Sequence, residues 1–153
     1  MTELDIPRAC LPAMSVEAID QVRTAEREML ALPQVEIHTS HLIHGGMYAR
    51  TILMPKGVAM TGVLVKRPTT LVLIGDVLVY TGDGVLHLQG QQVIPASAWR
   101  KQAFMANEDT WLTMIFPTSA TTVEQAEREF TDEVGLLMSR DRPDLNHITI
   151  TGE

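Results

Sequence analysis

From Val35 to Phe116 the apolar residues come in short runs separated by Gly, Pro, Asp or Asn. Strands joined by tight turns satisfy that spacing and long helices do not. Met47 to Met54 reads as a strand closed by the turn Pro55-Lys56-Gly57. Val58 to Lys66 reads as the next, followed by Thr69 to Ile74 and, beyond Gly75-Asp76, by Val77 to Thr81. Gly82-Asp83-Gly84 supplies residues that tolerate the positive φ of a hairpin turn and leads into Val85 to Leu88. Gln92 to Ile94, Trp99 to Met105 and Thr110 to Phe116 bring the count to about eight strands, which suits a sandwich or barrel.

On either side of this block the period is helical. Ser15 is an N-cap for a helix whose apolar face carries Ala18, Val22, Ala25, Met29 and Leu32, stopped by Pro33. After Pro117, Thr121 and Glu124 form a capping box. Val123, Ala126, Phe130, Val134 and Leu137 then share one helical face, with Glu124, Glu127, Arg128 and Asp132 mostly off it. Beyond Arg142-Pro143, Asn146 to Thr151 has strand propensity and no obvious local partner. It reads equally as a frayed tail or as a strand added to a sheet of this subunit or a neighbour. The chain of 153 residues thus divides into an N-terminal helical flank (1–34), a β-domain (35–117) and a C-terminal helix and tail (118–153), forming one globular unit.

The net charge of −7 is unevenly spread. Residues 1–34 hold six acids and three bases, residues 35–116 five and six, and residues 117–153 eight and three. No clustered excess of Lys and Arg offers itself to phosphates, so nucleic acid is not an expected partner. Acidic flanks around a near-neutral core suit packing on a neighbouring subunit. The apolar run Thr70 to Tyr80 is interrupted by Gly75 and Asp76 and is shorter than the ~20 residues of a membrane span. The start Met-Thr-Glu-Leu-Asp lacks the basic and apolar regions of a signal peptide, so cytosolic synthesis is expected. The lone Cys10 has no Cys or His nearby and reads as an inert thiol.

The stretch His44-Gly-Gly-Met-Tyr48-Ala-Arg50-Thr-Ile-Leu-Met-Pro55-Lys-Gly57-Val-Ala-Met-Thr61-Gly62, with Asp109-Thr-Trp111 further on, resembles a group of small phage- and prophage-associated cupin-like proteins. The resemblance covers roughly residues 38–116. It implies a mainly β, cupin-like jelly roll and a phage or prophage origin, and it supplies no activity. With it come the expectations of a host-cytoplasmic or virion-associated protein and of phage structural proteins as partners. Metal-binding cupins carry histidines on adjacent strands that hold Fe, Mn, Ni or Zn. Relatives in this group often have histidine at the places aligned with Val65 and Thr69. Neither of these residues is a useful ligand, and Pro95 to Lys101 lacks histidine too, so no metal or other cofactor is expected.

His38, His41 and His44 are the alternative metal candidates, together with His87. On a strand, His38 and His44 point to one face and His41 to the other, so they read as surface or loop residues. No Gly-x-Ser-x-Gly and no Walker loop is present, and catalytic residues are not assigned. Tyr48, Arg50, Lys66, Arg67, Arg100 and Lys101 remain as candidate ligand-binding residues. The bases either frame an anion-accepting mouth or straddle the sheet into solvent. The leading expectation is a non-catalytic protein that self-associates as a homo-oligomer or virion component, with its terminal strand pairing to a neighbour. The alternative is a binder of an anionic metabolite, and a metal-dependent cupin enzyme with a nonstandard site comes third.

Overall fold

The computed structural model describes residues 9–153; the segment Met1 to Asp5, on which the expectation of cytosolic synthesis rests, lies outside them. The architecture is mainly β with helices in both flanking regions. In chain order the elements are α1 (Val16–Leu30), β1 (Thr39–His44), β2 (Met47–Met54), β3 (Ala59–Thr61), β4 (Thr69–Tyr80), β5 (Val85–Ala96), β6 (Ala103–Ala106), β7 (Thr110–Pro117), α2 (Val123–Phe130), α3 (Met138–Asp141) and β8 (Asn146–Ile150), with single 3₁₀ turns before and after α3. No described helix is long and apolar enough to cross a membrane.

The strands form one mixed sheet in the order β3-β6-β4-β7-β2-β1-β8, with β5 on the other edge of β4. β4 is the pivot. Its first half pairs with β7 (Ile74↔Trp111) and its second with β6 (Val77↔Ala106), while β5 follows its whole length. The switch happens at Gly75, whose φ is +147°, and there the sheet curls into a half-barrel.

Odd-numbered residues of β4 and even-numbered residues of β7 and β2 face the concave side. They contribute Leu71, Leu73, Val77, Val79, Met114, Phe116, Tyr48 and Met54 to the main core. Phe130 of α2 stacks on Tyr48 (ring centroids 6.3 Å apart) and meets Phe116 edge-on at 6.0 Å. α1 covers the opposite side, packing Ala18, Ile19 and Val22 against Leu64, Tyr80 and Ala103.

Several boundaries differ from expectation. The pairs Thr69–Ile74/Val77–Thr81 and Val85–Leu88/Gln92–Ile94 are each one continuous strand, because Gly75 and Gly90 stand opposite each other and let β4 and β5 bend together without breaking. Of Val58 to Lys66 only Ala59–Thr61 is strand. Beyond Gly62 the chain leaves the sheet and touches it again only through the Val65–Arg100 bridge. The strand expected from Trp99 starts at Ala103, since Trp99 adopts φ +61° and interrupts extended backbone.

β1 was not foreseen. It turns into β2 through Gly45-Gly46, both at positive φ (59° and 72°), the combination a two-residue hairpin requires. The N-cap of α2 is Thr122, whose hydroxyl accepts from the Gln125 N–H, while the Gln125 side chain accepts from the Thr121 N–H. The box is therefore one residue later than Thr121/Glu124. α2 also ends at Phe130 instead of reaching Leu137, because Thr131 is extended. The tail strand has its partner within the chain: β8 lies parallel to β1, Thr39 opposite Asn146.

Candidate ligand-binding cavity

Inside the curl the inward side chains stop short of filling the space. A cavity of about 720 Å³ remains, walled by Ile52, Met60, Leu71, Phe104, Leu112 and Met114. The segment 32–37 between α1 and β1, with Leu136, Leu137 and Met138, completes the lining. This volume lies within the range of sites that enclose small organic molecules.

Two of the six candidate ligand residues reach this cavity, Arg50 and Arg100. They differ in one respect. Arg50 has a carboxylate partner: its Nη1 lies 3.2 Å from an oxygen of Glu127, and its guanidinium sits 5.7 Å above the Phe130 ring. Glu127, expected on the solvated side of its helix, is buried, because it also accepts from Arg140 Nε at 2.5 Å and from the Ser139 hydroxyl at 2.9 Å.

Arg100 is 2% exposed. It donates to the Ser97 carbonyl at 2.5 Å and to the Thr69 hydroxyl at 2.6 Å. Among the described residues no carboxylate lies within ion-pair distance of it. Burial alone lowers its pKa to about 10, so it stays cationic at neutral pH. Two residues on, Gln102 lines the same cavity. It is 4% exposed, and its Nε2 has no hydrogen-bond partner among the described residues. An unmet buried donor costs roughly 1–3 kcal/mol. Gln102 escaped sequence reasoning, although its place two residues after Arg100 is the signal that could have found it.

The remaining candidates serve the fold. Tyr48 is fully buried. Lys66 reaches Asp132 at 2.7 Å on the surface. Arg67 lies flat on Phe116, 4.3 Å from its centroid, with Glu129 at 3.8 Å. Lys101 points away from the cavity into a buried cluster, 3.0 Å from Glu26 and 3.2 Å from Glu133. Adjacent bases on extended chain face opposite ways, so Arg100 and Lys101 could not share one mouth.

The histidines do not converge. His38 and His44 are exposed and His41 is buried. Among the described residues, no group of three His, Cys, Asp or Glu side chains could hold a metal ion. His41 joins three strands instead. Its Nδ1 is 2.7 Å from the Tyr48 hydroxyl on β2 and its Nε2 is 2.8 Å from the Asn146 amide oxygen on β8. The amide oxygen can only accept, so Nε2 carries the proton and the phenol donates to Nδ1.

Burial holds the His41 pKa below its ordinary 6.5, outweighing the raising effect of Asn146. The unfolded chain then binds the extra proton first. This stabilisation is complete above pH 6.5 and is lost as pH falls toward the native value. Urea midpoints are expected to fall between pH 7 and pH 5, and to fall less in His41→Gln. Equal slopes for the two proteins would remove His41 as the cause.

No family model matches the sequence, and no curated protein resembles it significantly. Solved structures do resemble its backbone. A cupin-2 domain protein from Shewanella frigidimarina shares 12% identity over 60% of this chain and 90% of its own, with a TM-score of 0.44. The cupin domain of Schizosaccharomyces pombe Cnp3 shares 14% identity over 66% and 72%, at 0.44. Salicylate 1,2-dioxygenase from Pseudoaminobacter salicylatoxidans shares 9% over 85% of this chain and 40% of its own, at 0.49.

Likeness at this level says nothing of activity. The question of a cupin-type metal comes from the sequence resemblance, and the side chains at the positions it singles out do not fit one. Val65 and Thr69 bracket Arg100: Val65 bridges its backbone and Thr69 accepts its Nη2. A guanidinium has no lone pair to give a metal and repels one by charge.

Proposed function

We propose that the half-barrel is a receptor for a small organic anion and carries out no metal chemistry. One observation supports this reading above the others. Arg100 is a buried cation with no carboxylate partner among the described residues, on the wall of a cavity large enough for a small molecule. A charge held out of water without a counter-ion is costly, and an anionic ligand would relieve that cost when it binds. This takes the second of the sequence expectations over self-association because the buried, unpaired guanidinium points to a ligand, whereas β8, paired with β1 on one edge, points to no particular partner.

A thermal-shift screen against small organic acids tests it. A ligand present at a hundred times its Kd contributes about 2.7 kcal/mol, or roughly 5–10 °C in Tm for a domain of this size. At least one acid should produce such a rise, growing with concentration. A flat response across mono-, di- and tricarboxylates, sulfonates and phosphates would sink the proposal.

A further inference from the structure

The charges around the cavity narrow the ligand further, and we infer that it is a monocarboxylate with an uncharged apolar body, its head group shared by Arg100 and Gln102. This inference rests on the reading above. The charged side chains that line the cavity are Arg50, Arg100, Arg142, Glu26, Glu36 and Asp141. Arg50 is matched by Glu127, Arg142 by Glu36 at 3.0 Å and by Asp144 at 2.8 Å, and Glu26 by Lys101 at 3.0 Å. Asp141 stands exposed at the rim. Arg100 is therefore the one lining cation with no carboxylate partner among the described residues, Arg50 sharing Glu127 with Arg140.

A monoanion balances that charge. A dianion such as a phosphate monoester would leave one negative charge without a partner, with the exposed carboxylate of Asp141 nearby adding repulsion. A neutral ligand would leave Arg100 unmatched. The second head-group contact follows from Gln102, whose Nε2 lacks an acceptor among the described residues. Its terminal amide torsion is soft, so the N–H turns to a carboxylate oxygen while the guanidinium takes the other. The rest of the wall carries Ile52, Met60, Leu71, Phe104, Leu112 and Met114, which reward an apolar body and offer nothing to hydroxyl-rich acids.

Calorimetric titration of the full chain at pH 8 with five probes tests this. Octanoate and 2-naphthoate supply the carboxylate on a flexible and a flat body, octyl phosphate a dianion, and octanol and octylamine the neutral and cationic heads on the same tail. At least one carboxylate should bind one to one, tenfold or more tighter than the other three probes. Gln102→Leu should weaken that carboxylate several-fold, leave octanol unchanged and leave Tm the same or higher, because it deletes an unpaired donor. Arg100→Met should erase the preference for carboxylate over alcohol. Should Arg100→Met fail to fold, Gln102→Leu decides alone.

Octyl phosphate or octanol binding as well as the better carboxylate overturns the inference while leaving a ligand site. So does carboxylate binding that Gln102→Leu leaves unchanged. If neither carboxylate binds while other organic acids raise Tm, the inference fails and the receptor reading stands; a flat response to every acid ends both.

Discussion

Gly75→Ala should remove about 4 kcal/mol of stability, a large share of the roughly 5–15 kcal/mol that holds an ordinary domain together. A Cβ built on Gly75 falls 2.7 Å from Thr110 Cα and 2.8 Å from the Asp109 carbonyl oxygen, and closer still to the Thr110 hydroxyl. Those two contacts are backbone atoms, of the first residue of β7 and of the one before it, so no rotamer change relieves them. Overpacking of this kind costs roughly 1–3 kcal/mol, and holding an alanine at φ +147° adds a strain of roughly 1–3 kcal/mol.

The alternative to paying both is separation of β7 from β4, which would lose the Thr110 hydroxyl that accepts from the Asp76 N–H at 3.0 Å. Urea denaturation followed by circular dichroism reads the effect. A loss below about 1 kcal/mol would mean that the bend does not depend on this glycine. Gly90, opposite on β5, has nothing within 4 Å of its Cβ position, and Gly90→Ala should cost only the strain of its φ of +74°.

The second large effect is expected at Lys101. Its ammonium is wholly buried between Glu26 and Glu133 and donates to the Gly62 carbonyl at 3.0 Å. Desolvation pushes the Glu133 pKa up, but the hydrogen bond from Arg23 and the charge of Lys101 outweigh it and hold the carboxyl below its usual value. Lys101→Met keeps the hydrocarbon and deletes the charge, leaving Glu26 to Thr61 and Glu133 to Arg23. Removing one member of a buried pair typically costs about 3–5 kcal/mol. Lys66→Met, on a surface pair with Asp132, should cost at most about 1 kcal/mol. Comparable losses from the two variants would show that the Lys101 cluster is no more than a surface contact.

These two positions show what was legible in the sequence. Strand periodicity revealed most of the sheet, because half-buried strands must alternate; it split β4 and β5 at Gly75 and Gly90, where they bend without breaking, and carried two strands too far, past Thr61 and back to Trp99. Two segments singled out by resemblance, Pro55-Lys56-Gly57 and Asp109-Thr-Trp111, meet in space: Asp109 accepts from the Lys56 N–H at 2.8 Å. Their specificity is that of a brace between two turns.

The candidate bases could not be sorted from sequence, since Lys66, Arg67, Arg100 and Lys101 differ only in what lies opposite them. Their acidic partners Glu26, Glu129, Asp132 and Glu133 come from helices and turns far along the chain. β1 was missed for a simpler reason: its alternation is carried by Thr39, His41 and Ile43, and only the last is a typical core residue. His41 becomes one because Tyr48 and Asn146 satisfy both its nitrogens.

The parallel pairing of β1 with β8 has a consequence for how the protein is made. Thr39 waits for Asn146, and His44 for Thr151, 107 residues later. A ribosome adding roughly 5–20 residues per second needs about 5–20 s to cover that distance. Throughout, the outer edge of β1 has unpaired amides that can template another strand, and His41 lacks its second partner. The nascent chain is therefore most prone to pair wrongly in this interval, and any factor that shields it during synthesis would act on the edge that β8 later covers.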